Sequence, residues 1–88
     1  MRQRYLEVTF RKGKALAAYL YLPRPKGARV TRTVAGGHGL QVDLDKSGRP
    51  LGVEISAPSS VTVEQLNAVL SEHGIGPLDA AEWAPLAA

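Results

Sequence analysis

Hydrophobic and polar residues alternate along much of the chain as far as Ser56. In "YLEVTF" (residues 5–10) every second residue is apolar, and the same period recurs in "RVTRTV" (29–34), "LQVDLD" (40–45) and "LGVEIS" (51–56). A period of two predicts β-strands with one buried face. The segments "RKGK", "PRPKG" and "AGGHG" interrupt this alternation, and their glycines and prolines predict turns or loops.

A further strand is predicted in "ALAAYLYL", where neither face is polar. One face carries Leu16, Ala18, Leu20 and Leu22, and the other carries Ala15, Ala17, Tyr19 and Tyr21. A strand with two apolar faces is typical of the centre of a sheet. The single helix that is predicted further along the chain can cover only the leucine side, so the tyrosine side needs another cover. The candidates are the C-terminal tail with Trp83 and a second copy of the chain.

The period changes after "APSS" (57–60). Apolar residues then recur at spacings of three and four: Val63, Leu66, Val69 and Leu70. This spacing predicts one amphipathic helix. Thr62 and Gln65 form a capping-box pattern at its start, and Gly74 predicts its end.

These patterns predict the fold class and the domain organisation. We expect one α+β domain over residues 1–76, with an antiparallel meander of about five strands followed by one amphipathic helix. Residues 77–88 are expected to form a short C-terminal tail, in which Leu78 and Trp83 can dock on an apolar surface. The 88 residues of the chain are too few for two domains.

The amino-acid composition of the chain excludes several classes of function. The chain has no cysteine, which excludes disulfides, thiolate zinc sites and thiol catalysis, and fits the cytoplasmic location that we expect. The apolar run "ALAAYLYL" is too short to span a bilayer, and "PRPKG" follows it in place of a signal-peptide cleavage site. We therefore expect no membrane partner.

Charge is distributed unevenly between the two halves of the chain. Nine basic residues and one acid, Glu7, lie between Met1 and Val42, giving +8, whereas two bases and seven acids follow, giving −5. A cationic half of this kind can meet nucleic acid, an acidic protein or the acidic half of its own chain.

Strands of alternating direction would gather many of these cations at one end of the sheet: Arg2, Arg4, Arg24, Lys26, Arg29, Lys46 and Arg49. All of these except Lys46 are candidate contacts for a partner or a nucleic acid. Tyr5 and Tyr21 would lie nearby and could stack on bases. The alternative is that these cations are solvated and protect sheet edges from aggregation.

The segment "DLDKSGRPLGVE" (43–54) matches the spacing of an EF-hand calcium loop. An EF-hand loop needs a helix on each side, but "AGGHGLQV" before it is rich in glycine and "VEISAPSS" after it alternates. We interpret the segment as a β-hairpin with "KSGR" as its turn, and we expect no specific metal.

No pattern of catalytic residues is recognisable. His38 in "GGHG" and His73 at the predicted helix end are the most suggestive positions, but their spacing to other polar residues matches no triad, metal helix or phosphate loop. We interpret His38 as a turn residue and His73 as a cation that suits a helix C-terminus. No catalytic, cofactor-binding or metal-ligating residue is predicted.

Residues 16–60 resemble the bacterial domain of unknown function family 2283. The resemblance is carried by "ALAAYLYL", "TRTV", "VDLDKSGRPLGVEI" and the serine-containing "SAPSS". It implies a small single domain, and no reaction or ligand is established for the family. Some members sit beside small toxin-like proteins, which implies by analogy a partner-binding role. This chain has "RKGK" where the family has an acidic lead-in.

The sequence therefore favours a small non-catalytic binding or interaction protein, either self-associating or the partner of a toxin-like protein. Its candidate apolar interface comprises Tyr19, Tyr21 and Trp83. The alternative is a nucleic-acid-binding module that uses the basic N-terminal half.

Overall fold

A computed structural model describes residues 3–87 and shows one antiparallel five-stranded sheet with two α-helices. The strands are β1 (Tyr5–Arg11), β2 (Lys14–Tyr21), β3 (Arg32–Gly37), β4 (Leu40–Leu44) and β5 (Pro50–Ile55). A short 3-10 helix (Pro58–Ser60) leads to the helices α1 (Val63–Glu72) and α2 (Ala80–Ala87). The predicted α+β class and the five antiparallel strands are confirmed.

The strand order differs from the predicted meander. The order is β1-β2-β5-β4-β3, so β5 lies between β2 and β4, and β3 lies at an edge. In β5, Leu51, Val53 and Ile55 are each 0% exposed, whereas β3 is mostly exposed. The strand that buries the most apolar surface therefore lies at the centre of the sheet. Successive strands still alternate in direction, because every pair is antiparallel.

The third strand also begins later than predicted. Val30 lies outside it and is 44% exposed, while β3 continues through Ala35 to Gly37. Gly36 faces the helix layer, where an added Cβ would lie 3.1 Å from a methyl carbon of Val69. A glycine that the sequence pattern assigned to a loop is thus a packing position under α1.

The core lies between the sheet and α1. Its strand residues are the ones predicted to point inward: Leu40, Val42, Leu44, Leu51, Val53 and Ile55. All of these except Leu51 belong to one apolar cluster with Leu66, Val69 and Leu70 of α1. The predicted capping box is confirmed, since Gln65 N donates to Thr62 Oγ1 at 3.1 Å and Thr62 N donates to Gln65 Oε1 at 3.0 Å.

The sequence predicted one helix, but a second helix, α2, forms in the segment that was expected to be a short C-terminal tail. At its start, Glu82 N donates to Asp79 Oδ1 at 2.8 Å and Asp79 N donates to Glu82 Oε1 at 3.0 Å. This reciprocal pair has the form of a capping box. Trp83 and Leu86 pack against the core on the same side as α1, and Leu78 N donates to Asn67 Oδ1 at 2.9 Å.

The hairpin of β1 and β2 departs from strict alternation at its far end. The register shifts between Thr9 and Phe10, and Phe10 and Leu16 remain 56% and 53% exposed. The prediction that both side chains are buried is therefore wrong, and both lie at the end of the hairpin where the register shifts. Neither helix within residues 3–87 combines the length and apolarity needed to cross a membrane.

Candidate protein-interaction face

The sheet face opposite the helices carries two ordered rows of side chains. Strand pairing aligns the first row across all five strands: Tyr5, Tyr21, Gly52, Asp43 and Thr33. It aligns the second row one step further along: Glu7, Tyr19, Glu54, Gln41 and Ala35. We call these the tyrosine row and the acidic row, and the surface that carries them the tyrosine face.

Three tyrosines form an aromatic cluster on the β1–β2 half of this face. The rings of Tyr5 and Tyr21 stack with centroids 4.7 Å apart and planes inclined by 17°. Tyr19 meets Tyr21 edge to face, also at 4.7 Å. Tyr5 is 49% exposed, and the other two are half-buried. Both arrangements are favoured by the aromatic quadrupole.

Tyr19 spans three strands. Its ring lies against Gly52 on β5, where an added Cβ would overlap the ring atoms. Its hydroxyl donates to Asp43 Oδ2 on β4 at 2.6 Å, and Thr33 Oγ1 on β3 donates to Asp43 Oδ1 at 2.7 Å. Burial, reinforced by the Asp43 carboxylate, raises the pKa of Tyr19 well above its usual value.

Tyr21 is held from both sides. Its hydroxyl donates to Glu7 Oε1 at 3.2 Å, and the negative charge of Glu7 raises the pKa of Tyr21. The Arg24 guanidinium carbon lies 5.9 Å from the centroid of the Tyr21 ring. Arg24 also donates through a terminal nitrogen to Leu51 O at 2.8 Å, which fastens the loop after β2 over β5.

The predicted gathering of cations at one end of the sheet follows from the strand directions. Arg4 precedes β1, Arg24 follows β2, and the hairpin that carries Arg49 joins β4 to β5 at the same end. Lys26 and Arg29 are exposed in the loop between β2 and β3. Arg2 lies outside the described residues.

The cations at this end of the sheet differ in whether they contact other residues. Arg4 binds the tail: Nε donates to Glu82 Oε2 and its terminal nitrogens donate to Gly76 O and Pro77 O, each at 2.6 Å. Arg24 is half-buried at the tyrosine cluster. Of the predicted contact residues, Lys26, Arg29 and Arg49 are therefore exposed and available for a polyanion, and Lys46 in the hairpin turn and Arg32 at the start of β3 are exposed at the same end.

Trp83 does not share a surface with the tyrosines. It packs against the core with Leu6 and Val8 of β1, and these residues face away from Tyr5 and Glu7 by strand alternation. The predicted apolar interface of Tyr19, Tyr21 and Trp83 is thus split between opposite faces. The tail does not cover the tyrosine face.

The segment that resembles a calcium loop is a β-hairpin, as predicted. Asp45 Oδ1 accepts from Ser47 Oγ at 2.7 Å and from the backbone N–H groups of Ser47 and Arg49, both at 2.9 Å. These hydrogen bonds hold the pKa of Asp45 below its usual range, with the Ser47 hydroxyl as the main cause. The carboxylate closes the turn.

The two histidines lie apart from this face. His38 sits in the β3–β4 turn with φ of 54°, and its Nδ1 lies 3.2 Å from Gln65 Nε2 at the start of α1. His73 forms the C-cap of α1, the position predicted for it. Within residues 3–87, no three His, Asp or Glu side chains are grouped so that they could hold a metal ion.

Sequence reasoning missed three members of the site. Alternation in "LQVDLD" and "LGVEIS" places Asp43, Gly52 and Glu54 on the side opposite the apolar residues, but it does not show what they contact. A glycine inside a strand signals close approach of another group, but the group that approaches Gly52 depends on the pairing of β2 with β5.

The fold and the face define a small α+β protein with one covered and one open sheet face. No known family model matches the chain, and no curated protein or solved structure matches it significantly. The resemblance of residues 16–60 to the domain of unknown function family 2283 therefore rests on its sequence motifs alone.

Proposed function

We propose that this chain is a small non-catalytic binding protein that engages a protein partner through its tyrosine face. The observation that carries the proposal is the aromatic cluster of Tyr5, Tyr19 and Tyr21 on the sheet face that neither helix covers. Tyrosine is enriched among the residues that contribute most binding energy at protein interfaces.

The hydrogen bonds of the face support recognition by a preorganised surface. Tyr19 is tied to Asp43, and Tyr21 is tied to Glu7. Side chains that are already ordered lose little conformational entropy when a partner binds. The face is therefore suited to docking a complementary surface with little rearrangement.

Affinity capture with a matched pair of variants tests this proposal. The tagged chain is incubated with lysate of its native cells, with and without nuclease, and the bound proteins are identified by mass spectrometry. Tyr5→Ala removes an aromatic side chain of the face that is 49% exposed, while Leu16→Ala removes a side chain 53% exposed at the far end of β2.

We expect a stoichiometric protein that survives nuclease and about 1 M salt, is lost with Tyr5→Ala and is retained with Leu16→Ala. A small toxin-like protein in this role would fit the family resemblance. Equal capture by the two variants would contradict the proposal.

A second candidate function is nucleic-acid binding by the basic end of the sheet. The observation that favours it is the cluster of exposed cations Lys26, Arg29, Lys46 and Arg49, whose side chains could each contact a phosphate. Binding would use this end, because Glu7 and Glu54 give the tyrosine face itself carboxylates that repel phosphate.

The salt dependence of binding to a single-stranded oligonucleotide tests this candidate. If three or four phosphates are contacted, affinity should fall with a log–log salt slope of roughly −2 to −3. Lys26→Ala with Arg29→Ala should reduce that slope, and Lys12→Ala with Lys14→Ala at the opposite end should leave it unchanged. A slope near zero would reject the candidate.

A further inference from the structure

We infer that β1 pairs edge to edge with β1 of a second copy of this chain, antiparallel and about a two-fold axis at Thr9. β1 is an edge strand of the sheet, so this pairing joins two five-stranded sheets into one. The axis is perpendicular to the sheet, and both tyrosine faces then lie on the same side of the joined sheet. The inference goes beyond the proposed function and does not depend on it, because it uses the strand edge and leaves the tyrosine face open.

The backbone of β1 carries unpaired hydrogen-bonding groups along its outer edge. Leu22 N donates to Leu51 O at 3.1 Å, so the even-numbered residues at this end of β2 turn their backbone groups toward β5 and the odd-numbered residues turn theirs toward β1. The odd-numbered residues of β1 lie opposite the latter, and Leu6, Val8 and Phe10 therefore turn their N–H and C=O groups outward. Apart from strand pairing, no hydrogen bond within the described part of the chain reaches these groups. Such a row of free groups is a template for another strand.

β1 is the more regular of the two edge strands. Its register shift leaves Leu16 without a partner, so the extra residue lies on β2 and the outer edge of β1 is uninterrupted. The other edge strand, β3, ends in a register shift at Gly37, whose φ is 84°. An irregularity of this kind protects an edge against pairing. The segment "YLEVTFR" contains no proline, glycine or lysine, and its two charged residues have opposite signs.

The charges of β1 are self-complementary in one register. When Thr9 lies opposite Thr9 of the second copy, Glu7 of each copy lies opposite Arg11 of the other, and the axis makes this pairing twice. Odd-numbered residues occupy the non-hydrogen-bonded positions of the new ladder, where opposite side chains approach most closely. Arg11 is exposed and makes no ion pair or side-chain hydrogen bond within the described residues. Glu7 is also exposed, and it accepts one hydrogen bond from the Tyr21 hydroxyl.

The same register adds an apolar contact on the helix side of β1. Phe10 is 56% exposed, the largest fraction among the exposed large apolar side chains that the structure describes. It lines a groove with Pro85 and Leu86 of α2, which places its side chain on the helix side. In the proposed pairing Phe10 lies opposite Val8 of the second copy, and a pair of an aromatic and a β-branched residue is a favourable cross-strand contact.

Neighbouring registers lack this complementarity. Pairing about Val8 places Glu7 opposite Thr9 and Arg11 opposite Tyr5, so neither charge has a counter-charge directly opposite. Pairing about Phe10 places Glu7 opposite the hairpin turn, which shortens the ladder. The register about Thr9 is therefore the one that pairs opposite charges and also lets Val8 and Phe10 exchange both of their backbone hydrogen bonds.

Disulfide trapping tests the register, because the chain has no cysteine of its own. Residues opposite each other at a non-hydrogen-bonded position have Cα atoms about 4.5 Å apart, within the range that a disulfide spans. Thr9→Cys should therefore form a linked dimer on mild oxidation with copper phenanthroline at about 20 µM protein. Thr33→Cys is the matched control, an exposed threonine on the other edge strand, β3. It should form linked dimers at least about tenfold more slowly, because its edge is irregular.

Sedimentation equilibrium with charge-swapped variants tests the contacts. The unmodified chain is measured from about 5 µM to about 1 mM, as are Glu7→Arg, Arg11→Glu and their equimolar mixture. Each variant alone places like charges opposite one another at both contacts and should weaken dimerisation at least about tenfold. The mixture restores opposite charges at both contacts and should recover affinity to within about threefold of the original.

A control variant separates the specific contact from net charge. Glu72→Arg changes the charge of the chain by the same amount as Glu7→Arg, but Glu72 is exposed on α1 and far from β1 in the pairing proposed. It should leave the dimer intact. Circular dichroism confirms that each variant is folded.

The outcomes separate this inference from the proposed function. Faster trapping of Thr9→Cys than of Thr33→Cys, together with dimers that respond to the charge swap, supports the inference. A chain that stays monomeric to about 1 mM overturns it, and so does equal trapping of the two cysteine variants. A dimer that neither Glu7→Arg nor Arg11→Glu weakens also overturns it, because the copies then meet elsewhere. The proposed function stands or falls separately, by the capture experiment with Tyr5→Ala.

Discussion

Gly52 and Tyr19 together determine the form of the tyrosine face. The missing side chain of Gly52 leaves room for the Tyr19 ring to lie against the β5 backbone, and from there its hydroxyl reaches Asp43 on β4. One tyrosine thus covers a strand glycine and joins β2 to β4 across the central strand. Such cross-strand contacts contribute to sheet stability and fix register.

Gly52→Ala is expected to destabilise the protein by about 1–3 kcal/mol, because the added methyl group forces the Tyr19 ring out of place. Urea unfolding measures the change. Gly76→Ala is the matched control, since an added Cβ there meets nothing within 4 Å, and it should be neutral or slightly stabilising. Equal unfolding midpoints for the two variants would contradict this explanation.

The pKa of Tyr19 makes a prediction about alkaline pH. Its pKa is raised in the folded state by burial and by Asp43, so the contribution to stability is complete below the unfolded value of about 10. It is lost as pH rises through the higher folded value. Spectrophotometric titration of the tyrosines should end in a late step, and Tyr19→Phe should remove that last step. Removal of the first step instead would disprove the assignment.

Some of this site can be anticipated from residue types. A glycine inside a strand indicates close approach, and alternation places Tyr19 and Tyr21 on one face. The contact between Tyr19 and Gly52 cannot be predicted from residue types, because 33 positions separate the two residues in the sequence. The contact exists because β5 pairs with β2, and that pairing depends on how the whole sheet buries its apolar side chains.

At the scale of elements, one arginine ties α2 to the sheet. Arg4 donates to Glu82 and to the carbonyl oxygens of Gly76 and Pro77, and it thereby ties the start of β1 to the segment before α2. The helix has eight residues with Pro85 among them, so it has little stability of its own. Its position is maintained by this clamp and by the packing of Trp83.

Acid should release α2 before the sheet unfolds. Hydrogen bonding from Arg4 lowers the pKa of Glu82, so this contribution is present above the unfolded value of about 4.3 and is lost as pH falls through the lower folded value. Fluorescence of Trp83, the single tryptophan, reports the release. Glu82→Gln should weaken docking by about 1 kcal/mol at neutral pH and reduce its acid dependence.

Glu72→Gln is the control for this prediction, because Glu72 is exposed at the end of α1. It should leave the emission of Trp83 and its pH profile unchanged. If Glu72→Gln and Glu82→Gln shift the profile alike, the Arg4 clamp does not hold α2.

The two helices also show which elements a pattern can predict. In α1 the apolar spacing, the Thr62 cap and the Gly74 stop agree, and the helix forms where they place it. In α2 the apolar spacing is weak, and the helix forms because Asp79 and Glu82 cap it while Arg4 and the core hold it. The capping pair was visible in "DAAE", but the docking contacts come from residues far away in sequence.

At the scale of the whole molecule, the sheet consists of two groups of strands that join at a single strand pair, which we call the seam. β1 and β2 form a hairpin, and β3, β4 and β5 form consecutive hairpins. They join where β2 pairs with β5, placing Leu20 opposite Val53. The core formed at this seam is common to both units, so we expect them to unfold together.

Two leucines of the same strand test the importance of the seam. Leu20 is 1% exposed and Leu16 is 53% exposed. Leu20→Ala should cost about 2–5 kcal/mol of unfolding free energy, because it leaves a cavity in the shared core. Leu16→Ala should cost less than about 1 kcal/mol. Denaturant unfolding measures both, and losses of similar size would contradict a shared core centred on β2.

The sequence by itself determined the local features of this protein. Alternation predicted four of the strands, and the two apolar faces of "ALAAYLYL" predicted the other. The three- and four-residue spacing predicted α1, and the turn "KSGR" between two alternating segments predicted a hairpin. These features depend on residues close together in the chain, where periodicity and turn chemistry act directly.

Only the tertiary structure decided the order of the strands, the docking of α2 and the composition of the tyrosine face. Each of these depends on which apolar surfaces bury one another best across long sequence separations, and that choice is made by the molecule as a whole. The most buried strand, β5, lies at the centre of the sheet. Both helices pack on one face of the sheet, and the tyrosines lie together on the opposite face.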